Sequence, residues 1–516
     1  MKKLYSVLIV FLFIQSINFA QIDNIQHQQF SVNNLQAYIS NVGFYYNHGI
    51  NIPPLKIKGF DSRWTYLNYM EYPRWGGKID GEIFYDGKWN YSSYPGYIDE
   101  NGNTSDPNAP EAGLFYLPKE LKNYYSYSEY LELMKHYPVE AGAPWEDIDG
   151  DGKFNPEIDA PLITGDEMVW FIGNDYNSLL RKIEAGIDVA IKVFAYDQNQ
   201  MFNNIIFKEY TLTNKSGKFI EDFYFGYYCD SDIGNVSDDA AGCLSDANLG
   251  FAYDLDDNDE HYGINTPVFA LQCINPPANK LGSDRMSSFI IPNYYHGWDI
   301  EPYPEQMNRT VYNQLQGKII YLNDPYTDPE TGEEIKYVFE GNPYQGTGSN
   351  FKEDNRELYR DIDIMMNLGP YDIKPGESLT FTFAFMGILE EDNKKGIQLA
   401  YNYAKILENK YYDLIKPEAV PYFEEPAPPT EFKVTSNYPN PFNPVTNVSY
   451  SVPVESHVNA IVYDALGRRV ITLADEIQSP GEYHLTFDGT DLSSGLYFLR
   501  FDIDGDIKTL KMTLLK

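Results

Sequence analysis

Apolar side chains recur at every second position over long stretches of this chain. That period of two confines those stretches to β-strands with one buried face. In 187–195, Ile187, Val189, Ile191, Val193 and Ala195 alternate with their neighbours; after Lys374-Pro375-Gly376-Glu377, Leu379, Phe381, Phe383 and Phe385 alternate with Thr380, Thr382 and Ala384. The runs from Ile206 to Thr213 and from Phe219 to Tyr228 flank Asn214-Lys215-Ser216-Gly217, which reads as a hairpin turn. From Phe30 to Ile98 the chain is irregular and aromatic, with Gly-rich turns around Trp75-Gly76-Gly77-Lys78 and Tyr85-Asp86-Gly87-Lys88-Trp89, predicting short strands and loops. Helical spacing is rarer. Ser126-Tyr127-Ser128-Glu129 forms a capping box ahead of Tyr130, Leu131, Met134 and Tyr137, and Pro138 stops that helix. Ile397, Ala400, Tyr401, Ala404, Leu407, Tyr411 and Leu414 mark one face of an amphipathic helix that ends before Pro417. The predicted fold class is mainly β with minor α.

At 516 residues the chain is long enough for two or three domains, and a hydrophobic fraction of 43% with 16% aromatics supplies packed cores. A formal charge of −36 argues against nucleic acid or an anionic membrane as partner, because both demand basic patches. Such acidity serves solubility, and it also suits Ca²⁺ sites. The 45 tyrosines suit both sheet surfaces and stacking against sugar rings. Of the cysteines Cys229, Cys243 and Cys273, the first two could close a short loop in an oxidising compartment, leaving one unpaired.

The two ends carry addressing signals. Lys2 and Lys3 precede an apolar run from Leu4 to Ile14 and a more polar stretch to Ala20, the layout of a secretory signal peptide over 1–20. Gln21 rather than a cysteine stands directly after the cleavage point, which argues against a lipoprotein anchor, and no later run approaches transmembrane length, so no span is expected in the mature protein. The β-rich body then covers 21–415, with room for two subdomains. A linker at 416–435 holds Pro417, Pro421, Pro426, Pro428 and Pro429 among glutamates. In 436–516, Val448-Ser449-Tyr450-Ser451-Val452, Ala460-Ile461-Val462-Tyr463, Tyr483-His484-Leu485-Thr486-Phe487 and Tyr497-Phe498-Leu499-Arg500-Phe501 alternate between turns such as Ala465-Leu466-Gly467 and Asp504-Gly505-Asp506. That regular spacing suits a small Ig-like β-sandwich.

The opening Ser436-Asn437-Tyr438-Pro439-Asn440-Pro441-Phe442-Asn443-Pro444, the turn Tyr463-Asp464-Ala465-Leu466-Gly467-Arg468, the segment Leu492-Ser493-Ser494-Gly495-Leu496-Tyr497-Phe498 and the ending Lys511-Met512-Thr513-Leu514-Leu515-Lys516 together resemble the C-terminal type A sorting domain of type IX secretion cargo. The resemblance implies recognition of 436–516 by the outer-membrane export machinery. It also implies passage through the periplasm, and release to the medium or attachment at the cell surface. In the body, Trp145 to Gly152, Glu167 to Asp175, Tyr227 to Gly234 and Ser237 to Cys243 resemble large secreted cargo proteins of the same system, a likeness that transfers no catalytic residue.

The best local motif for chemistry is Asp147-Ile148-Asp149-Gly150-Asp151-Gly152-Lys153-Phe154-Asn155. Carboxylates at alternate positions around a glycine turn can converge on one hard cation, so the candidate Ca²⁺ ligands are Asp147, Asp149, Asp151, the carbonyl of Lys153, Asn155 and Asp159. Ile158 stands where an EF-hand loop has its bidentate glutamate, with Glu157 and Asp159 on either side. The alternative is an Asp/Gly-rich turn held by side-chain-to-backbone hydrogen bonds. Two further acidic groups, Asp230, Asp232, Asp238 and Asp239 with Asp246 nearby, and Asp254, Asp256, Asp257 and Asp259, suit solvated loops at least as well as metal. The histidines His27, His48, His136, His261, His296, His457 and His484 are scattered, and neither a His-Glu-x-x-His pair nor a nucleophile elbow occurs. The sequence therefore favours an exported structural, adhesive or ligand-binding protein, Ca²⁺-stabilised, with a glycan or surface ligand as partner. A secreted polysaccharide-acting hydrolase is the alternative, and enzymatic activity stays open.

Overall fold

The structure, a computed structural model, describes residues 26–41, 55–60, 65–86, 94–175, 185–292, 304–319, 324–327, 331–347, 362–420 and 429–516. The signal peptide and the turn at Gly87-Lys88-Trp89 lie outside the described residues. The chain divides into two compact units, residues 1–121 with 133–420 and residues 122–132 with 421–516.

The first unit is a β-sandwich. Among the described residues its larger sheet runs, all antiparallel, in the order Asp239–Leu244, Leu249–Asp254, Val268–Ile274, Ser378–Ile388, Ile205–Asn214, Ile187–Ala195 and Glu167–Asn174, with Tyr94–Pro95 and Phe115–Pro118 both against the last. The facing sheet runs Ser288–Ile290, Asp363–Ile373, Ile220–Asp230, Met70–Ile79 and Glu82–Asp86. Alternation decides which side chains meet between them. Val189, Ile191 and Val193 join Tyr210, Leu212, Phe381 and Phe383 in the core. Across the gap Phe225 stacks on Phe381 at 4.6 Å, and the Tyr210 and Tyr227 hydroxyls lie 2.9 Å apart. Full burial of one such aromatic ring stabilises the fold by about 1.5–3 kcal/mol.

Three sequence expectations change here. Asn214 to Gly217 is not a hairpin turn: Ile205–Asn214 and Ile220–Asp230 belong to opposite sheets, so the segment carries the chain across the sandwich. The Asn214 side chain fixes that crossing by donating to the carbonyls of Lys218 (2.8 Å) and Ile373 (3.1 Å). Gly76 and Gly77 lie not in a turn but within the ten-residue strand Met70–Ile79. A Cβ on Gly76 would come 2.9 Å from the Phe84 carbonyl, and one on Gly77 3.1 Å from Ile220 Cγ2, so these glycines permit close packing. Cys229 and Cys243 are free and buried, as is Cys273. The first two sit on strands of different sheets, so no bridge pins the acidic loop between them.

The helix Asn393–Leu414, capped by Asp392 accepting from the Lys395 amide, covers the outer face of the larger sheet. Gln272 reaches through to donate to the Ala404 carbonyl at 2.9 Å. Among the described residues, no helix is long and apolar enough to cross a membrane. At the end of the first unit, Glu418–Ala419 pairs with Leu162–Ile163.

The second unit contains an Ig-like sandwich, with Lys433–Val434, Val445–Val452 and Gly481–Asp488 in one sheet and Arg469–Gln478, Ser456–Asp464, Gly495–Ile503 and Asp506–Leu514 in the other. Its own core includes Tyr450, Val462, Phe487, Leu499, Phe501 and Met512. The protein is thus mainly β with minor α, a β-rich body plus a C-terminal sandwich.

Candidate metal centre and ligand cavity

The first acidic loop leaves the short strand Trp145–Glu146 and returns as Ala160–Ile163, its antiparallel partner. Gly150 and Gly152 adopt positive φ (75° and 77°), which lets the chain fold back over Asp147. Asp147 then accepts from the Gly150 and Gly152 amides at 2.7 and 2.9 Å. Asp149 accepts from Asp151 N at 3.2 Å, and Asp151 from Lys153 N at 2.7 Å. Carboxylate oxygens of Asp147, Asp149 and Asp151 gather within 4.8 Å of one another, all exposed.

Asp159 takes a different place. It is fully buried, and its two oxygens accept from the Ile148 and Asn155 amides at 2.9 and 2.7 Å, closing the loop from below. The Asn155 side chain accepts from Glu157 N at 3.1 Å. Phe154 seats the loop edge-on against Trp145 at 5.4 Å. Asp147, Asp149 and Asp151 can meet a cation, and Asp159 acts as a clamp.

The second and third acidic groups, separate in sequence, come together in space. The hairpin Asp239–Leu244 with Leu249–Asp254 turns through Asn248 in the left-handed region (φ 49°) and sets Asp239 directly opposite Asp254. Carboxylate oxygens of Asp238, Asp254 and Asp256 lie within 4.8 Å of one another. Burial first, and then neighbouring carboxylates including Asp238, push the Asp254 carboxyl up to about 6; burial holds Asp239 well above the usual carboxylate range. Asp246, Asp257 and Asp259 are engaged elsewhere. Asp246 accepts from the Tyr401 hydroxyl at 2.8 Å, Asp257 from the Thr266 amide at 2.9 Å, and Asp259 from the amides of Asn235, His261 and Tyr262, each at 2.7 Å. The signal for this convergence lay in the hairpin register rather than in the density of acids.

Beyond the helix, the outer face of the larger sheet opens into a cavity of about 840 Å³ lined by Tyr97, Trp170, Asp188, Lys192, Glu209 and Lys215 among others. Alternation puts Asp188, Ala190 and Lys192 on this face and Ile187, Val189 and Ile191 in the core. Asp188 accepts from the Ile98 amide at 2.9 Å, and burial pushes its carboxyl up to about 7 against the opposing pull of that hydrogen bond and Lys215. Lys192 and Glu209 pair across the strands at 2.7 Å. None of the described histidines lines the cavity.

In the C-terminal sandwich the motif that opens the segment meets the strand that ends it. Asn440 donates to the Lys511 carbonyl and accepts from the Thr513 amide, both at 3.0 Å, and the Phe442 amide donates to Thr513 at 2.9 Å. Asp464 shapes its turn by accepting from the Leu466 and Arg468 amides at 2.9 Å. Residues 436–514 match the family described as a secretion system C-terminal sorting domain. No curated protein matches the chain. Among solved structures, a polysaccharide lyase is similar at 10% identity and TM-score 0.28, covering 96% of this chain and 46% of that one. Dimeric latent PorU from Porphyromonas gingivalis is similar at 11% identity and TM-score 0.15, covering 67% and 31%. The chain spans less than half the length of either structure, and at these scores neither likeness bears on fold or activity.

Proposed function

As cargo of the type IX secretion system, carried through the outer membrane to the cell surface or the surrounding medium, this protein works outside the cell, and we propose that it works there as a binding protein. Its role is structural, adhesive or ligand-binding, with a glycan as the ligand class and Ca²⁺ held by Asp147, Asp149 and Asp151 as a stabilising ion. The observation that carries the binding role is the open cavity of about 840 Å³, where the half-buried Tyr97 stands among charged groups of both signs. An apolar ring face beside hydrogen-bonding groups matches the two surfaces of a sugar. The Ca²⁺ reading is supported by three converging carboxylates in a protein that meets extracellular Ca²⁺, which fills even weak sites.

A polysaccharide-acting hydrolase is the second reading, favoured by the placement of Asp188 in this cavity, where burial pushes its carboxyl up to about 7, the range that suits a general acid. Glu209 does not complete the pair. Asp188 stands opposite Thr213, further along the strand pair from Glu209, whose carboxylate is held in an ion pair by Lys192 at 2.7 Å. A base would have to come from loop carboxylates such as Asp99 or Glu140.

The test is a polysaccharide panel applied to the full chain and to Tyr97→Ala. Binding that Tyr97→Ala weakens, without release of reducing ends, is the expected result. Release of reducing ends that Asp188→Asn abolishes would replace binding with hydrolysis.

A further inference from the structure

We infer that the sheet-end cluster of Asp238, Asp254 and Asp256, with Asp239 in register beside it, binds a hard divalent cation, Ca²⁺ in the extracellular setting, as a structural ion separate from the Asp147 loop. The sheet register makes this cluster. Asp239 and Asp254 are directly opposed on antiparallel strands, so their side chains leave the same face with Cβ atoms about 5 Å apart, a placement that is unfavourable for like charges. Both residues are 0% exposed.

Each of these two carboxylates has one oxygen committed and one bare. Asp239 Oδ2 accepts from the Ile233 amide at 3.0 Å, while its Oδ1 is buried with no hydrogen-bond partner. Asp254 Oδ1 accepts from the Asp256 and Asn258 amides at 3.1 and 3.2 Å, while its Oδ2 is buried with none. Among the described residues, neither makes an ion pair. A buried polar atom without a partner is costly, more so when it carries charge, so the bare Asp254 oxygen gathered with Asp238 and Asp256 calls for a cation, and the bare oxygen of Asp239 opposite adds to that demand.

Geometry and chemistry agree on its kind. Oxygen ligands at about 2.3–2.6 Å from Ca²⁺ lie at most about 5 Å from one another, and the gathered oxygens of Asp238, Asp254 and Asp256 fall within 4.8 Å. The donors are carboxylates alone, with no thiolate or imidazole in the group, which suits Ca²⁺ rather than Zn²⁺ or Cu²⁺. Irregular loop donors fit the variable coordination of Ca²⁺ better than the strict octahedron of Mg²⁺. The ion would also have structural work to do. The 231–238 segment returns to the sheet edge through Leu255 N donating to the Asp238 carbonyl at 2.9 Å, and Asn393, at the start of the long helix, donates to the Asp254 carbonyl. A cation here fastens two loops and a helix end to one strand pair. The competing account is that a shared proton, not a metal, neutralises the cluster.

The test uses the full chain stripped with chelator and titrated with Ca²⁺ alone, against Asp254→Asn and Asp238→Asn. Calorimetry should count one bound Ca²⁺ fewer in either variant, and this loss should add to that of Asp149→Ala. In chelator Asp254→Asn should melt at or above the wild type, because the amide removes repulsion; in millimolar Ca²⁺ that order should reverse. If Asp254→Asn does not fold, Asp238→Asn, at a half-buried position, decides the matter. Folded variants that bind as much Ca²⁺ as the wild type, or that melt in the same order in Ca²⁺ and in chelator, overturn the site in favour of a shared proton.

Discussion

The exposed loop at Asp147–Asp159 and the buried cluster at Asp239 and Asp254 are both built from aspartates, yet they handle charge differently. In the loop each clustered carboxylate accepts amides from its own turn and meets water, and the one buried carboxylate, Asp159, has both oxygens satisfied. At the sheet end Asp239 and Asp254 are fully buried, and the backbone satisfies only half of each of these opposed carboxylates. A dense acidic motif can therefore fold without an ion, whereas two aspartates in register at the open end of one hairpin create the stronger demand for one. Local spacing advertises a site; burial decides how much it needs its ligand.

The largest expected effect comes from the clamp. Asp159→Ala leaves the Ile148 and Asn155 amides without their acceptor and should cost about 3 kcal/mol in denaturant unfolding, equally in Ca²⁺ and in chelator. A loss that appeared only in Ca²⁺ would make Asp159 a ligand and erase the contrast. Next comes the ion at the buried cluster. At a hundredfold excess over Kd, Ca²⁺ should stabilise the wild type by about 2.7 kcal/mol and leave Asp254→Asn short of that gain.

Asp188 sharpens the comparison because it is a buried carboxylate that takes a proton. Its folded pKa, about 7, lies above the ordinary carboxylate value, so the folded state holds a proton that the unfolded chain releases. Stability should therefore fall as pH rises from about 4 towards 7, on the order of 2 kcal/mol after relaxation around the charge. Asp188→Asn should flatten that slope in urea titrations at pH 5 and pH 8; an unchanged slope would place the titration elsewhere. The smallest effect belongs to the exposed loop. With Kd near 10⁻⁴–10⁻³ M its ion adds about 1 kcal/mol in millimolar Ca²⁺. Asp149→Ala should remove that increment from the melting shift and leave the rest.

Much of this architecture is legible in alternation. The strand Ile187–Ala195 has the bounds its pattern implies, and the helix that buries Ile397, Ala400, Ala404 and Leu407 follows from spacing alone. What alternation does not convey is which sheet a strand joins. The polar turn at Asn214 to Gly217 looks the same whether it returns the chain beside itself or carries it across a core, and only the pairing of Ile220–Asp230 with Met70–Ile79 distinguishes the two. Gly76 and Gly77 mislead for a related reason: glycine signals a turn unless a neighbouring backbone occupies the space of its missing Cβ. The Asp147 motif was visible because its geometry is local. The two sheet-end groups stand out as acidic, but their convergence does not, because Asp239 and Asp254 meet only through the register set by the turn at Asn248.

Hydrogen exchange of the full chain, with Ca²⁺ and with chelator, tests most directly whether the two acidic regions differ as described. The Ile148 and Asn155 amides, held by the buried Asp159, should keep their protection in both conditions. Those of Ile233 and Asn258, which lean on Asp239 and Asp254, should exchange markedly faster once Ca²⁺ is removed. Equal exchange at Ile233 and Asn258 in the two conditions would contradict the account.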